Sequence, residues 1–314
     1  LLAAISNALA RGAHLGFVAG NGVDLATNFW PGCSLESLAR RPGNALELSK
    51  APPTGIMHDK VGAFFYAATG ESRLLTASWN FTAAASSQQW NVLAEFRNRE
   101  LALAYSNELR QMLAGYFHSH PAKPRVPHDG TAFRTAAGWT NGWVRFAPYP
   151  SNKAGGDNAQ MQITNRIGRA ARQIVFALNK QTRAAVTDQL IAACDRGVEV
   201  HGVIPRSDRA DPGGPSYEQY ARMLDPASYA GTNRIRLHEA YHKSTSTTDF
   251  DRGTSDLVHC KFLVIDPFGP EPWTIHGSAN WTLTALATTN TPTSNDENVL
   301  FVPDGGVAQA FLAQ

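Results

Sequence analysis

No run of about 18 apolar residues occurs in the 314-residue chain, so no segment of it reads as a membrane-spanning helix. Cysteine is scarce: Cys33, Cys194 and Cys260 are three, an odd number, and widely spaced. That excludes a dense disulfide framework and leaves at most one bridge open. No C-x-x-C occurs, nor any Cys/His spacing typical of zinc, so no metal ligand set is legible. Charge of either sign is not in excess either. The formal net charge of +2 does not announce a nucleic-acid binder. Lysine is sparse beside arginine, which suits phosphate recognition but is more often a compositional bias. The sequence shows no initiating Met and no charged-then-apolar leader, so it reads as mature or trimmed. Together with the lack of lysine-rich runs, this leans towards a secreted or envelope setting.

What is present is a repeat. Gln189 to Val203 reads as a helix end, an Arg196-Gly197 turn and a buried strand. Ala4 to Val18 has the same grammar around Arg11-Gly12. His58-Asp59-Lys60 is matched by His259-Cys260-Lys261, and Ser78-Trp79-Asn80-Phe81-Thr82 by Ser278-Ala279-Asn280-Trp281-Thr282. Asn91-Val92-Leu93 then aligns with Asn298-Val299-Leu300. Four matches in one order make the chain two copies of one unit. We expect the first over 1–130 and the second over 131–314, joined through a His-, Pro- and Gly-rich stretch from His118 to Asn141.

In the second copy a helix (about Met161 to Arg172), a strand (Gln173 to Leu178) and a second helix precede the Arg-Gly turn. The first copy starts inside its second helix, which predicts that its own first helix and strand lie upstream of Leu1. Strands and helices alternate in both copies, which predicts α/β layers with helices covering mixed sheets. Arg97 to Tyr116 has helical spacing, and Trp143-Val144-Arg145-Phe146 reads as a strand.

The chemistry concentrates on Leu257 to Asp266, a β-branched, apolar stretch that reads as one buried strand. Alternate side chains of a strand share a face, so His259 and Lys261 point the same way and Cys260 the other. Burying an imidazole beside an ammonium is unfavourable unless an anion lies between them. Asp266 falls on the opposite face, where a structural role fits better. Gly277-Ser278-Ala279-Asn280 then supplies a turn, a hydroxyl and an amide.

His259-x-Lys261-x4-Asp266, followed by Gly277-Ser278-x-Asn280 and the carboxylate-bearing Asn295-Asp296-Glu297-Asn298, resembles the signature of the phospholipase D superfamily. The first copy is a degenerate version. It keeps His58-x-Lys60 and Ser78-x-Asn80, but has Phe65 in place of the Asp, and Gln89 or Trp90 where the carboxylate would fall. The resemblance implies a fold of two repeated α/β/α units with one active site at their pseudo-two-fold interface. It implies a phosphodiesterase that needs no metal and no cofactor. One histidine attacks phosphorus to give a phosphohistidine, and the other protonates the leaving oxygen and then activates water or an acceptor alcohol.

By the family's habit His58 is the nucleophile and His259 the acid/base. Lys60, Lys261, Asn80 and Asn280 would hold the non-bridging oxygens, with Ser78, Ser278, Glu297 and Asp266 supporting them. Trp79, Trp281 and His276 are the expected substrate rim. Phospholipid head groups are the favoured substrate, with peripheral membrane contact. Nucleic acid is the alternative, and would require Arg97, Arg99, Arg110, Arg125 or Arg145 to gather along one groove. A third reading is a module that binds phosphate or membrane without turnover. It would require Trp79 or Phe65 to block a half-site. His242-Lys243 reads as solvated loop, and the polar stretches Ser207–Ser216 and Thr288–Asn295 as rim loops.

Overall fold

The computed structural model describes residues 2–26, 34–53, 56–82, 85–86, 89–117, 130–134, 141–148, 158–205, 212–240, 257–286 and 294–313. Trp30, Cys33, Arg125, Trp139, His242, Lys243 and most of the two polar rim stretches lie outside them.

Helix α1 (Leu2–Ala10) ends at Gly12, whose φ of +82° is the left-handed conformation that glycine adopts freely. It leads into β1 (His14–Ala19), which pairs in parallel with β2 (Ala45–Lys50). The short α2 (Leu35–Ala39) between them starts in a reciprocal Ser34/Ser37 capping box. Next come β3 (Val61–Phe65), β4 (Ser72–Ala77), β5 (Gln89–Trp90) and β6 (Leu93–Phe96), with β3, β4 and β6 forming an antiparallel meander. Helix α3 (Arg99–Leu113) begins where the Asn98 side chain accepts from the Leu101 amide.

The rest of the chain builds one large sheet. Its strands are β7 (Thr131–Arg134), β8 (Asn141–Ala147), β9 (Gln173–Leu178), β10 (Glu199–Pro205), β11 (Arg236–Ala240), β13 (Lys261–Ile265), β14 (Trp273–Gly277) and β15 (Glu297–Val302). The short β12 (Leu257–Val258) stands apart from it. The order is β11-β10-β9-β13-β14-β15-β8-β7, parallel from β9 to β11 and antiparallel elsewhere. Helices α4 (Ala159–Arg169) and α5 (Ala184–Asp195) cover one face through Ile163, Ile167, Val186 and Leu190, packed on Ile174, Phe176, Leu263 and Ile275. The second Arg-Gly turn repeats the first, with Gly197 at φ +94°. Beyond it lie α6 (Pro215–Leu224), α7 (Leu283–Leu286) and α8 (Gly305–Leu312). Helix α8 sets Phe311 against Phe262 on the other face. Burial on both faces explains why β13 reads as a continuous apolar run.

The predicted ten-residue strand from Leu257 to Asp266 is broken. His259 and Cys260 lie outside both β12 and β13, because the His259 amide donates to the Trp90 carbonyl of the other half of the chain (2.9 Å). The predicted helix after Arg97 is α3, and the predicted strand at Trp143 is β8 with two residues more at its start and one at its end.

The two halves of the chain differ in continuity. In the second, β9 lies between the parallel β10 and the antiparallel β13. In the first, β1–β2 and β3–β4–β6 are separate sheets, and among the described residues no strand pairs with the outer edge of β1 or β3. Helix α3 packs against β1, β2, β3 and β4 and so underlies both pieces. It also joins the halves, because Leu101 and Tyr105 share a buried cluster with Leu74, Phe146 and Leu300.

Candidate active site

Two short pairings between the halves assemble the site. Before His58, Met57 bridges Asp296, with the His58 amide donating to the Asp296 carbonyl and the Asp296 amide to the Ile56 carbonyl, both at 2.9 Å. Before His259, β12 pairs in parallel with β5, and the His259 amide reaches Trp90. Each histidine segment is therefore stitched to the opposite half.

The side chains follow the same exchange. His58 Nδ1 lies 2.7 Å from Glu297 Oε2, a fully buried carboxylate that also accepts from the Ser278 hydroxyl at 2.7 Å. His259 Nδ1 lies 2.9 Å from Asn91 Oδ1 and 3.0 Å from the Ser78 carbonyl, and the Ser78 hydroxyl donates to the same Asn91 oxygen. Acceptors at both Nδ1 atoms place the proton there, so in either neutral ring Nε2 carries the lone pair. Lys60 Nζ donates to the carbonyl of His58 (2.6 Å) and Lys261 Nζ to that of His259 (2.8 Å). A lysine thus turns back on its own histidine in each half.

The carboxylate position needs correction. Ser278 accepts from the Asn298 amide and bonds Glu297, as Ser78 accepts from the Val92 amide and bonds Asn91. Asn91 is therefore the counterpart of Glu297, and Val92 of Asn298. Aligning Asn91-Val92-Leu93 on Asn298-Val299-Leu300 is one residue out of step, and neither Gln89 nor Trp90 takes the carboxylate's place. An amide orients one ring and a carboxylate the other.

Electrostatics follow from burial. Burial pulls the Lys60 ammonium down to about 8, with Glu297 and Asp59 opposing. Burial and the neighbouring Lys60 pull Lys261 to about 7. His259 is drawn down to about 3, first by burial, then by Lys261, Lys60 and His58. Burial raises Glu297, but His58, Lys60 and Ser278 outweigh it and leave that carboxyl below its ordinary value. Burial thus weakens the hold of both lysines on their protons and keeps His259 neutral, a setting in which an anion between them would favour the charged forms.

Asn80 and Asn280 stand two residues beyond their serines, half-buried, and Asn280 Oδ1 accepts from Asn179 Nδ2 at 3.3 Å. Asp266 accepts from the amides of Ala171, Arg172 and Gln173, all at 2.8 Å, and so ties α4 to β9 away from the histidines. Two expected rim residues are not at the rim. Trp281 is 2% exposed and part of the main core, and its backbone pairs with that of Lys180 and Thr182. His276 is 1% exposed on β14, with Nε2 on the Thr76 carbonyl and its ring against Phe311. Both face inward because their strand and turn are covered on each side. Trp79 remains half-buried, edge-on to Phe81 and donating to Ser86. Cys194 and Cys260 are buried free thiols.

Sequence reasoning missed Asn91, Asn179 and Asn298. Asn91 sits 13 residues after its serine where Glu297 sits 19 after its own, so unequal loops hid the equivalence. Asn298 follows the carboxylate and was visible only as part of that segment.

Two histidine–lysine pairs thus come together in a mixed α/β protein, each histidine braced from the opposite half of the chain. Residues 163–314, just under half of the chain, match the family model described as "Cardiolipin synthase, PLD-like domain", so that part of the chain is a phospholipase D-like domain. Among solved structures, it is similar to polyphosphate kinase from Porphyromonas gingivalis (14% identity, 99% of this chain and 39% of that chain, TM-score 0.58). It is also similar to phosphatidylserine synthase from Haemophilus influenzae (13%, 84% and 64%, TM-score 0.53). A mutant of yeast tyrosyl-DNA phosphodiesterase is a third (14%, 93% and 77%, TM-score 0.50). At these identities the likeness concerns the fold. No curated protein matches the sequence.

Proposed function

We propose that the protein cleaves phospholipid phosphodiesters through a covalent phosphohistidine on His58, with His259 as acid and base. The observation that carries this is the unequal bracing of two otherwise matched rings. His58 Nε2 attacks phosphorus, and the positive charge that develops on the ring is met by the buried Glu297 at 2.7 Å. Burial first, then the neighbouring cations, keeps His259 neutral; a substrate anion between Lys60 and Lys261 opposes both, so His259 takes up a proton. It delivers that proton to the leaving oxygen as the P–O bond breaks. His259 then removes a proton from water, the new oxygen attacks phosphorus, and the P–N bond to His58 breaks to release phosphomonoester. An acceptor alcohol in place of water gives transfer. Lys60, Lys261, Asn80 and Asn280 hold the non-bridging oxygens.

Phospholipid is favoured over nucleic acid by what surrounds the histidines. Ile56, Phe81 and Trp90 are each about half exposed, and all lie within two residues of a catalytic or bracing group. Two of the arginines that a nucleic-acid groove would need are committed elsewhere: Arg97 is engaged by Glu71 and Glu95, and Arg145 is buried beside Trp143. A purely binding role is disfavoured because Phe65 is exposed on β3 and Trp79 is turned to Phe81 and Ser86. We read the chain as two copies of one unit, 1–130 and 131–314. Their mutual bracing of histidines supports that reading.

The test is turnover in EDTA of mixed phospholipid vesicles and, in parallel, an end-labelled single-stranded oligonucleotide, with trapping of phosphoprotein in His259→Ala. Head-group release with phosphate on His58 is expected. Oligonucleotide cleavage alone would move the substrate to nucleic acid, and phosphate on His259 in a His58→Ala variant would reverse the roles.

A further inference from the structure

Asp59, the residue between His58 and Lys60, has no part in the chemistry above, yet its carboxylate is turned into the interior. Oδ1 accepts from Asn298 Nδ2 at 2.6 Å, and Oδ2 is out of reach of solvent with no hydrogen-bond partner. The orientation of Asn298 is dictated by its neighbours. Its Oδ1 accepts from the hydroxyls of Tyr105 (2.9 Å) and Thr76 (3.3 Å), so its Nδ2 must face Asp59. The same Nδ2 lies 3.2 Å from Ser278 Oγ, Ser278 donates to Glu297 Oε2, and that oxygen receives His58 Nδ1. A continuous hydrogen-bonded path runs from Asp59 to the attacking ring.

We infer that Asp59 is a positioning residue that acts through Asn298, Ser278 and Glu297 to set the readiness of His58 as its own carboxyl gains or loses a proton. This rests on the phosphohistidine reading of the site. The groups that face Asp59 are Glu297, Asp296 and Asn298 of the second half, Glu108 and Tyr105 of α3, and Lys60 of its own segment. Burial foremost, then the charges of Glu108, Glu297 and Asp296, lift its carboxyl to about 7, against the bond from Asn298. Below that pH the group is neutral and holds Asn298 as an ordinary acceptor. Above it, the carboxylate makes a charge-assisted bond that pins Asn298 and adds negative charge behind Glu297, which strengthens His58 towards phosphorus. It also helps to keep Lys60 protonated. An aspartate pointing away from the substrate thereby makes the reaction faster as pH rises through neutrality.

The experiment compares wild type, Asp59→Asn and Asp59→Ala by two readouts. The first is ring ¹⁵N NMR of His58 with ¹³C NMR of the Asp59 carboxyl, which needs no turnover. In the wild type both should show an inflection near the same pH, about 7, and the His58 inflection should vanish in Asp59→Asn. The second is kcat against pH on bis(4-nitrophenyl) phosphate. Asp59→Asn, which keeps the acceptor for Asn298, should match wild type near pH 6. It should fall roughly fivefold short near pH 8, with KM little changed. Asp59→Ala should be low at both. A carboxyl that titrates below about pH 5, or Asp59→Asn with the wild-type profile, would overturn the inference. A wild type that never phosphorylates His58 would instead sink the proposed reaction, and the NMR arm would still decide the coupling.

Discussion

The second half of the molecule carries the complete motif inside an uninterrupted eight-stranded sheet, whereas the first carries a worn motif on two separate sheets joined by one helix. The worn half has nonetheless kept what braces a histidine. Ser78 turns on the Val92 backbone as Ser278 turns on Asn298, and both serines bond the side chain that holds the opposite ring. The motif letters that are lost, an aspartate where Phe65 stands and a glycine where Ala77 precedes Ser78, serve local packing in the second half. In the second half Asp266 ties down three amides, and a Cβ on Gly277 would fall 2.2 Å from the Asn298 carbonyl. The two halves thus differ in residues that shape their own turns, while each keeps a serine and a polar side chain that brace the opposite histidine, a carboxylate in one and an amide in the other.

Breaking the comparison at its centre has the largest effect. His58→Ala and His259→Ala should each lower kcat by roughly 10³-fold or more without loss of the folded state, since each removes a bond-making or proton-transferring group. Steady-state rates with circular dichroism check this, and a near-wild-type rate in either variant would refute the two-histidine scheme. The bracing groups come next and should separate. Glu297→Gln removes the charge that meets the phosphorylated ring and should lower kcat by about 10²-fold, whereas Asn91→Ala leaves His259 the Ser78 carbonyl and should lose only about tenfold. Equal losses would mean that the difference between carboxylate and amide has no mechanistic weight.

Making the halves alike sharpens the point. Asn91→Glu puts a carboxylate behind His259, favours the protonated form that donates to the leaving oxygen, and should move the alkaline limb of kcat/KM upward by about one pH unit. An unmoved limb would separate that titration from His259. The smallest effect concerns stability. His276 is held neutral by burial, drawn from 6.5 to about 4. The unfolded chain therefore binds the extra proton between those values, and this contribution is complete above pH 6.5 and shrinks as pH falls towards 4. His276→Gln should flatten the acid-side loss by roughly 1–2 kcal/mol in urea melts at pH 5 relative to pH 7. A parallel shift of both curves would place the acid sensitivity elsewhere, with His259 the next group to examine.

Much of this was legible in the sequence because it is written in spacing. Strand β9 lies where its apolar run predicts, the Arg-Gly turns are left-handed at Gly12 and Gly197, and Asp266 is structural as its face implied. What was not legible depends on loops of unequal length and on burial from outside the local segment. Asn91 was hidden because the chain from Ser78 to it is shorter than from Ser278 to Glu297. Trp281 and His276 read as rim residues because they adjoin the motif. A turn beside a site can still point its side chains into the core, as packing against α5 and α8 decides here. Asp59 was counted only as the spacer of a motif, since period-two alternation says that it faces away but not what waits behind.

The exchange of braces has a consequence for how such a protein changes over generations. A substitution in β15 alters the tuning of the histidine in the other half, and a substitution beside Trp90 alters that of the histidine in its own partner. Neither half carries a finished trait of its own, so neither can be improved, borrowed or discarded separately. The seam is therefore the unit that must change as a whole, and in the division of labour proposed for the two histidines one residue on each side of it would set which ring attacks and which carries the proton.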